Sequence, residues 1–550
     1  MLRIKLISPL DKVFLDSRHE EFAAMKKLSM LRNERMSLQL IMTDDNAAAP
    51  HRRFVGLRPD GVFAPYTSFR TVEMIPSCLP AYPGRSDESY LRTEPGLYPD
   101  LLAPLQMRGA VPCVQGQLRS VWIDINTSGE LPAGNYNFSV LVSDGGQEMR
   151  VNVPIEIIGA DLPEQKLRVT QWFHCDCLAS YYNVPVFSER HWEIIENFVR
   201  TAVSNGINML LTPIFTPPLD TYIGGERPTV QLTGVRLTDS GYEFDFSRLD
   251  RWIDMCDRCG VKYFEISHLF TQWGAAHAPK IVADTPDGER RIFGWDTDAA
   301  GEEYTSFLRA FLTAFLAHMR ARGDDRRCYF HLSDEPKAAQ LEQYLKAKAT
   351  VADLLEGYPV MDALSDYEFY KTGAVAMPIP SSNHIEPFIE GGVSPLWTYY
   401  CCGQNQNVSN RFFAMPGART RFIGTQFWKY RVFGFLQWGY NFYYNQGSYD
   451  PINPYLDSTG NYFVPSGDAY SVYPAADGTA LESVRIIQFR QGIDDLGAMT
   501  LAESLVGREK VLASIEELTG DIVFSRCVCD STVMHAVRER VNRLISENLR

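Results

Sequence analysis

Two consecutive carboxylates, Asp334 and Glu335, are the side chains of this sequence whose type and spacing best fit catalysis. They follow the apolar run 328–330 and precede Pro336 and a long helical pattern, so they lie where a buried strand ends and a helix begins. Two charges at the end of a hydrophobic run are costly unless something uses or compensates them. The alternative is structural: Asp334 could cap a helix whose first turn contains Pro336.

Strand and helix patterns alternate around this pair from about residue 165 onward. The predicted strands cover residues 167–173, 207–211, 261–267, 327–332, 358–361, 374–378, 395–400 and 434–438. Helical patterns separate them at residues 191–204, 247–259, 302–320, 336–355 and 416–433. Eight strands with intervening helices predict a (β/α)8 barrel, in which the C-terminal strand ends form the catalytic rim.

The segments on either side of this region have different patterns. Before residue 163, short alternating strands are separated by turn residues without a long amphipathic helix, which predicts an N-terminal β-sandwich. The tail carries helical patterns at 483–505 and 531–549. We therefore predict a multidomain protein with a β-sandwich over residues 1–162, a catalytic barrel over 163–505 and a C-terminal helical extension over 506–550.

Composition excludes several classes of partner. The 550 residues carry a net charge of -14, which disfavours nucleic acid and anionic membrane surfaces. No stretch reaches the ~20 apolar residues of a membrane span. The 11 cysteines are scattered, without a second pair at zinc-ribbon spacing, so we expect free thiols and no metal. The first residues lack a secretory h-region, and a cytoplasmic location is the expectation, although a processed secreted form would look similar.

Polar and aromatic residues follow several of the predicted strands and should share the rim of the barrel. Aromatic rings stack on the C–H faces of a pyranose, and carboxylates and imidazoles bind its hydroxyls, so this composition is typical of a sugar site. For any single tryptophan packing is the commoner role, and His268 could equally cap a strand. The candidate substrate contacts are Trp172, His174, Asp176, His268, Asp366, Tyr367, Trp397, Tyr399, Trp438 and Asn441.

The adjacency of the two acids distinguishes between glycosidase mechanisms. Ordinary retaining and inverting enzymes place their carboxyl groups about 5–5.5 Å or about 6.5–9.5 Å apart on opposite sides of the scissile bond. Neighbouring residues instead reach one side of the sugar together. This arrangement suits a substrate-assisted reaction, in which the 2-acetamido oxygen of the substrate is the nucleophile. Two close acids also separate their titrations, which keeps one protonated as a general acid must be.

Four stretches of the sequence resemble glycoside hydrolase family 123, the β-N-acetylgalactosaminidases, and the related DUF4091 proteins. The likeness extends from about residue 115 to 505 and includes the order of a β-sandwich followed by a barrel. The sequence departs from the family at the insertion 222–240 and the loop 275–298. The matching stretches are Asp334-Glu335-Pro336; Trp397-Thr398-Tyr399-Tyr400-Cys401-Cys402 with Asn410-Arg411-Phe412; Gly434-Phe435-Leu436-Gln437-Trp438-Gly439-Tyr440-Asn441; and Gly467-Asp468-Ala469-Tyr470-Ser471-Val472-Tyr473-Pro474 with Ser483-Val484-Arg485 and Arg490-Gln491-Gly492-Ile493-Asp494-Asp495.

The resemblance implies that Asp334 positions the acetamido group and Glu335 is the acid/base. It also implies substrate contacts for the candidates of the last two strands, whereas the other candidates rest on their strand-end positions. The expected activity is a retaining exo-hydrolase that releases terminal β-linked N-acetylgalactosamine from a glycan or glycolipid without a cofactor. The alternatives are a hydrolase of another β-hexoside (a β-galactosidase or β-N-acetylglucosaminidase) and a non-catalytic carbohydrate-binding protein. The sequence does not indicate an oligomeric state.

Overall fold

The computed structural model describes residues 2–44, 52–105 and 109–549. Its N-terminal part contains two five-stranded sheets, ordered β1-β3-β8-β5-β6 and β2-β10-β9-β4-β7. The strands are Leu2–Ile7 (β1), Leu28–Leu31 (β2), Arg35–Asp44 (β3), Arg52–Asp60 (β4), Thr67–Ser77 (β5), Gly96–Pro104 (β6), Ala110–Val114 (β7), Arg119–Asn126 (β8), Gly134–Asp144 (β9) and Gln147–Ile158 (β10).

Side-chain alternation explains how these two sheets pack. Residues two apart along a strand point to the same side of a sheet. On the first sheet, one side carries Leu38 and Leu40 of β3 beside Val121 and Ile123 of β8. Alternate residues of β9 and β10, such as Val140, meet them from the second sheet in one apolar core. The prediction of a strand-rich N-terminal region is therefore confirmed.

The next part of the chain contains a six-stranded parallel sheet, ordered β18-β15-β12-β11-β22-β21, and a two-stranded parallel sheet of β19 and β20. The six strands are Arg168–Gln171 (β11), Met209–Thr212 (β12), Tyr263–Ile266 (β15), Cys328–Phe330 (β18), Trp397–Tyr399 (β21) and Gly434–Gln437 (β22). The two strands are Met361–Ala363 (β19) and Met377–Ile379 (β20).

The eight strands thus occur where the sequence predicts them, but not as one continuous ladder. Within the described residues, the two sheets are joined by single bridges, Phe330 with Val360 and Ser381 with Tyr399. The strands next to these bridges, β18 to β21, have three residues each, which leaves few positions for ladder hydrogen bonds. A closed (β/α)8 barrel is therefore not established by the strand pairing.

Helices connect the successive strands and bury one face against the sheets. In α3, for example, Leu249, Trp252, Ile253 and Cys256 recur at helical spacing and are buried. The helices are Cys175–Tyr182 (α1), Glu189–Ser204 (α2), Ser247–Cys259 (α3), Glu302–Arg322 (α4), Leu341–Ala349 (α5), Tyr367–Lys371 (α6), Glu386–Glu390 (α7), Gly417–Arg421 (α8), Ile423–Tyr430 (α9), Val484–Val506 (α10), Arg508–Thr519 (α11) and Ser531–Ser546 (α12). No helix of the described ranges is long and apolar enough to cross a bilayer.

The two segments that depart from the family pattern are not open loops. They contribute to a four-stranded sheet, ordered β14-β13-β16-β17, of Gly234–Thr238 (β13), Gly241–Asp245 (β14), Ile281–Thr285 (β16) and Gly288–Phe293 (β17). Phe244 of this sheet packs edge-on against Phe307 and Phe311 of α4. Long polar segments can therefore fold when a helix supplies the apolar surface that they lack.

The C-terminal helices pack against both preceding parts of the molecule. Their apolar core combines Val537 and Val541 of α12 with Leu31 and Ile158 of the N-terminal sheets and Phe422 between α8 and α9. The helices α11 and α12 follow residue 506, where the sequence predicts a separate extension. The domain boundaries themselves remain a prediction. The last two strands, Val472–Pro474 (β23) and Ala480–Glu482 (β24), form a hairpin before α10.

A buried ionic cluster joins this hairpin to the N-terminal sheets. Glu482 accepts hydrogen bonds from Arg35 at 3.0 and 3.2 Å, from Arg70 at 2.6 Å and from Asn205 at 2.6 Å. Burial raises the pKa of Glu482, but Arg35 and Arg70 outweigh this effect and hold the pKa below its usual range. Folding therefore gains stability from the ionised carboxylate.

We predict that Glu482→Gln destabilises the protein by about 3–5 kcal/mol at pH 7, because Arg35 and Arg70 then share only the carboxylate of Asp124 and one partly buried positive charge is left uncompensated. The depressed pKa means that this contribution is present above about pH 4 and is lost as the pH falls further. Urea unfolding at neutral and acidic pH measures both effects.

The matched control is Glu342→Gln, which removes an exposed carboxylate paired with Lys346 on α5. An exposed pair at this spacing contributes about 0.5 kcal/mol or less. Equal losses for Glu482→Gln and Glu342→Gln would contradict the structural role of the cluster.

Candidate active site

The two consecutive acids lie just beyond the C-terminal end of β18. The backbone oxygen of Asp334 accepts a hydrogen bond from the backbone N–H of Trp273 at 2.8 Å, which fixes the chain at this point. Glu335 has φ +44, in the left-handed region that costs about 1–3 kcal/mol for a residue with a side chain. The following helix α5 begins only at Leu341, with Gln340 as its N-cap, so Asp334 is not a helix cap.

The environments of the two carboxylates differ. Asp334 is half-buried, and its side chain accepts no hydrogen bond within the described part of the chain, whereas Glu335 is exposed. Burial raises the pKa of Asp334 well above its ordinary value, and the negative charges of Glu335 and Asp220 raise it further. Asp334 therefore keeps its proton to a higher pH than an exposed aspartate does.

Tyr399 orients the exposed acid. Its hydroxyl donates a hydrogen bond to Oε1 of Glu335 at 2.6 Å. Burial and the charge of Glu335 raise the pKa of Tyr399 well above its usual range, so the phenol keeps its proton and remains a donor. Tyr399 is the last residue of β21, so the fold brings it to the catalytic pair, and its predicted contact with substrate remains a prediction.

A third carboxylate, Asp220, lies near the pair and was missed by the sequence analysis. It is half-buried on the loop after β12, where its backbone N–H donates to Gln272 Oε1 at 2.9 Å and its carbonyl accepts from Ser448 Oγ at 2.8 Å. Burial raises the pKa of Asp220 to about 7; Arg227 opposes this shift, and the charges of Glu335 and Asp468 add to it. The strand-end rule could have found it only by following the loop eight residues past Thr212.

A buried histidine lies between two acids directly behind the catalytic strand end. His331 Nε2 is 2.7 Å from Glu265 Oε1, and its Nδ1 is 3.4 Å from Asp362 Oδ1. Burial lowers the pKa of His331, but the two carboxylates outweigh it and raise the pKa to about 9. The imidazolium therefore persists at neutral pH and places a positive charge near Asp334, where it favours the ionised carboxylate.

Asp362 also holds the backbone that leads to the catalytic pair. Its Oδ1 accepts from the backbone N–H groups of Leu332 at 2.9 Å and Ser333 at 3.2 Å, and its Oδ2 accepts from the hydroxyl of Tyr344 at 2.5 Å. The direction of the chain at Asp334 therefore depends on a carboxylate of the next strand.

Trp172 and His268 lie in the interior behind the pair. The indole Nε1 of Trp172 donates to Glu265 at 2.8 Å, and its ring meets His268 edge-on at 5.6 Å. His268 stacks on His331 with 4.3 Å between ring centroids. Burial, followed by the charge of His331, lowers the pKa of His268 well below its usual value, so it is a neutral ring. Both predicted residues are buried, and they contact the side chains that lie behind the catalytic pair.

Three further candidates, which follow β11 and β22 in the chain, form one buried polar cluster. Asp176 makes a bidentate ion pair with Arg227, at 2.7 and 2.8 Å, so both of its oxygens are engaged. His174 Nδ1 lies 3.3 Å from the same guanidinium, and burial with Arg227 lowers its pKa to about 4. Asn441 hydrogen-bonds the backbone N–H and C=O of His174 at 2.9 and 3.0 Å. Arg227 also donates to the carbonyl of Leu219 at 3.1 Å, so the cluster fixes the loop that carries Asp220.

The described contacts of the candidates Asp366, Tyr367 and Trp397 are with residues of the fold. The carboxylate of Asp366 caps α6 by accepting from the N–H of Phe369 at 3.0 Å. Tyr367 packs edge-on against Phe388 at 5.0 Å. Trp397 is fully buried at the start of β21. These three residues are not brought to the carboxylates by any described contact, and their substrate roles remain predictions.

Trp438 supplies an aromatic wall at the end of β22. It is half-buried, packs edge-on against Phe442 and Phe463, and donates from Nε1 to Asp468 Oδ2 at 2.9 Å. Burial raises the pKa of Asp468 to about 6, while Arg411 and the hydrogen bond from Trp438 act in the opposite direction. Asp468 belongs to a stretch that resembles the family, but the sequence alone assigned it no role.

The side chains of the described residues provide no metal centre. Across residues 2–44, 52–105 and 109–549, no three His, Cys, Asp or Glu side chains group in a way that could hold a metal ion. All eleven cysteines are free thiols. The expectation that the reaction needs no metal or organic cofactor remains a prediction.

Parallel strands that end in paired acids, a tyrosine donor and an aromatic wall define the site of a glycoside hydrolase. The family model for the catalytic domain of glycoside hydrolase 123 matches residues 172–502, which is more than half of the chain. The chain therefore belongs to glycoside hydrolase family 123, and the resemblance seen in the sequence is confirmed.

A solved structure agrees with this assignment at the level of the fold. A family 123 glycoside hydrolase from Clostridium perfringens, analysed for glycolipid glycan hydrolysis, is similar with a TM-score of 0.73 at 16% identity, covering 100% of this chain and 98% of its own. An Ig-like-domain-containing GH10 xylanase from termite gut reaches a TM-score of only 0.32 at 10% identity, covering 86% of this chain and 100% of its own, and supports no argument. No curated protein sequence matches the chain.

We predict that Tyr399→Phe lowers kcat of glycoside hydrolysis about ten- to hundredfold, because a hydrogen bond to a charged group contributes about 1.5–3 kcal/mol. Steady-state kinetics on a natural glycoside measures the loss. Tyr400→Phe is the matched control, since the hydroxyl of Tyr400 is buried and has no hydrogen-bond partner among the described residues. Unchanged kcat in Tyr399→Phe would show that Glu335 does not need this donor.

Proposed function

We propose that the protein is a retaining exo-hydrolase that releases a terminal β-linked N-acetylgalactosamine through substrate-assisted catalysis. The observation that carries this proposal is the pair Asp334–Glu335 itself. One carboxylate is half-buried and uncommitted, and its neighbour is exposed and bonded to Tyr399. We also propose that the two parallel sheets act as one (β/α)8 barrel with this pair at its C-terminal rim.

In the first step, Glu335 donates its proton to the glycosidic oxygen while the acetamido oxygen of the substrate attacks the anomeric carbon. The bond to the leaving group breaks, and a bicyclic oxazolinium forms. Asp334, as a carboxylate, accepts the acetamido N–H and balances the positive charge that develops on this group. In the second step, Glu335 removes a proton from a water molecule that attacks the anomeric carbon from the side of the departed group, so the configuration is retained.

The substrate class follows from the chemistry and from the relative with the same fold. In this mechanism the acetamido group is the nucleophile, because two acids on one strand end reach the same side of the sugar. The Clostridium perfringens relative is described as acting in glycolipid glycan hydrolysis. We therefore propose a glycan or glycolipid with a terminal N-acetylhexosamine as the substrate of this chain.

We predict different rescue patterns for the two acids. Glu335→Gln should lower kcat on natural leaving groups by about 10²–10⁴-fold, because it removes general acid catalysis. A dinitrophenyl glycoside, which departs without protonation, should restore much of the first step. Asp334→Ala should stay inactive on both substrates, since the acetamido group then lacks its partner. Parallel kinetics on the two substrates measure the difference.

Two outcomes would contradict this assignment. Equal losses of Glu335→Gln on natural and activated substrates would remove the acid role of Glu335. Efficient hydrolysis of a 2-hydroxy galactoside by the wild-type protein would exclude the acetamido nucleophile and favour a β-galactosidase.

We predict that Asp220→Asn extends activity toward lower pH. Above about pH 7, where Asp220 is ionised, its charge raises the pKa of Asp334. Asp334 must be ionised to accept the acetamido N–H, so removing that charge lowers the acidic limit of kcat/KM by up to about one pH unit. A pH profile of kcat/KM measures the shift. Asp353→Asn, at an exposed position paired with Arg309, should leave the profile unchanged. A shift to higher pH would contradict the proposed role of Asp220.

A further inference from the structure

Two loops of the active face meet in an exposed pair of stacked tyrosines. Tyr222 follows β12 and Tyr449 follows β22, and their rings are parallel within 7° with 4.0 Å between centroids. The relative exposures are 39% for Tyr222 and 63% for Tyr449, although each ring covers one face of the other. The exposed area therefore belongs to the outer faces and edges of the rings. Aromatic surface exposed in this way is typical of a binding site.

Hydrogen bonds place this pair beside the catalytic acids. Gln272 accepts from the N–H of Asp220 at 2.9 Å and donates to the carbonyl of Thr221 at 3.2 Å, immediately before Tyr222. The next residue after Gln272 is Trp273, whose N–H donates to the carbonyl of Asp334. The backbone just before Tyr222 is thus connected to the backbone of Asp334 through the hydrogen-bonded side chain of Gln272 and the hydrogen bond from Trp273.

The second loop is held in the same place. Ser448 Oγ donates to the carbonyl of Asp220 at 2.8 Å, and the N–H of Tyr222 donates to the carbonyl of Gly447 at 3.0 Å. Gly447 has φ +70, and a Cβ there would approach the Tyr449 ring at 3.1 Å and the Tyr222 Cβ at 3.3 Å. The tight turn therefore needs glycine, and it presents Tyr449 in a fixed orientation.

From this geometry we infer that Tyr222 and Tyr449 form the subsite for the sugar that follows the scissile bond, the leaving-group hexopyranose. An exo-acting site holds the terminal sugar against the acids, so the next sugar must lie at the rim. Tyrosine faces stack on the apolar C–H face of a pyranose, and their hydroxyls remain free to bind its polar edge. This inference rests on the proposed function and adds the group that the enzyme recognises on the leaving side.

The sequence context makes this subsite a property of this chain. Tyr222 is the first residue of the insertion 222–240, where the sequence departs from the family pattern. Loops on the active face determine which linkage an enzyme accepts. A sugar fits the stacked pair better than a lipid surface does, because each tyrosine presents a hydroxyl beside its ring face.

The test compares three substrates that share the terminal N-acetylgalactosamine. They are its methyl β-glycoside, whose aglycone is too small to reach the rim, a free disaccharide with galactose on the leaving side, and the same disaccharide on a lipid in detergent micelles. Tyr449→Ala and Tyr222→Ala should each lower kcat/KM about tenfold on both disaccharides, mainly through a higher KM. Both variants should keep the wild-type rate on the methyl glycoside.

The controls separate recognition from folding. Tyr449→Phe keeps the aromatic face and should retain most of the activity on the disaccharides. Tyr462→Ala removes a tyrosine of similar exposure, 64%, from the same long loop and should have no effect.

Three outcomes would overturn the subsite. Equal losses on all three substrates would show that the tyrosines have a structural role only. Losses only on the lipid-linked substrate would show that the pair binds the lipid. No loss on any substrate would show that the pair does not take part in substrate recognition. Failure of the proposed function gives a different result. The wild-type protein would then hydrolyse none of the three substrates.

Discussion

The active-site geometry depends on the ion pairs that the buried imidazolium of His331 makes with Glu265 and Asp362. His331 lies one residue beyond β18, and two buried carboxylates share its single positive charge while they also accept hydrogen bonds from Trp172 and Tyr344. Asp362 then uses its remaining capacity to bind the backbone N–H groups before Asp334. The position of both catalytic acids is therefore determined by charge compensation in the interior of the sheets.

The buried residues behind the catalytic pair give the two adjacent carboxylates, Asp334 and Glu335, different environments. Asp334 is half-buried beside like charges and a fixed cation, so its proton affinity is set by the interior. Glu335 is turned outward by a left-handed backbone conformation and held by Tyr399 from another strand. The strain at Glu335 is maintained by its neighbours, as is common for residues that must face a substrate. One strand end can thus supply both the positioning group and the acid.

Ionic contacts between distant segments connect the site to the remainder of the molecule. Asp176 and Arg227 fix the loop after β12, and Arg485 binds Asp100 of the N-terminal sheets through two hydrogen bonds of 2.7 and 2.9 Å. The C-terminal helices pack against the N-terminal sheets and against residues of α8 and α9. The N-terminal sheets are therefore fixed to α10 and to the C-terminal helices.

The sequence alone determined the alternation of strands and helices and the position of Asp334 and Glu335, because periodicity and strand ends are local properties of a chain. The tertiary structure decided which side chains reach the acids. Asp176 meets an arginine 51 residues away, and Asp366 caps its own helix. The folding of the two insertions into one sheet was likewise not visible in their polar composition. A strand end predicts where a residue lies along the chain, but the direction and partner of its side chain depend on residues far away in sequence.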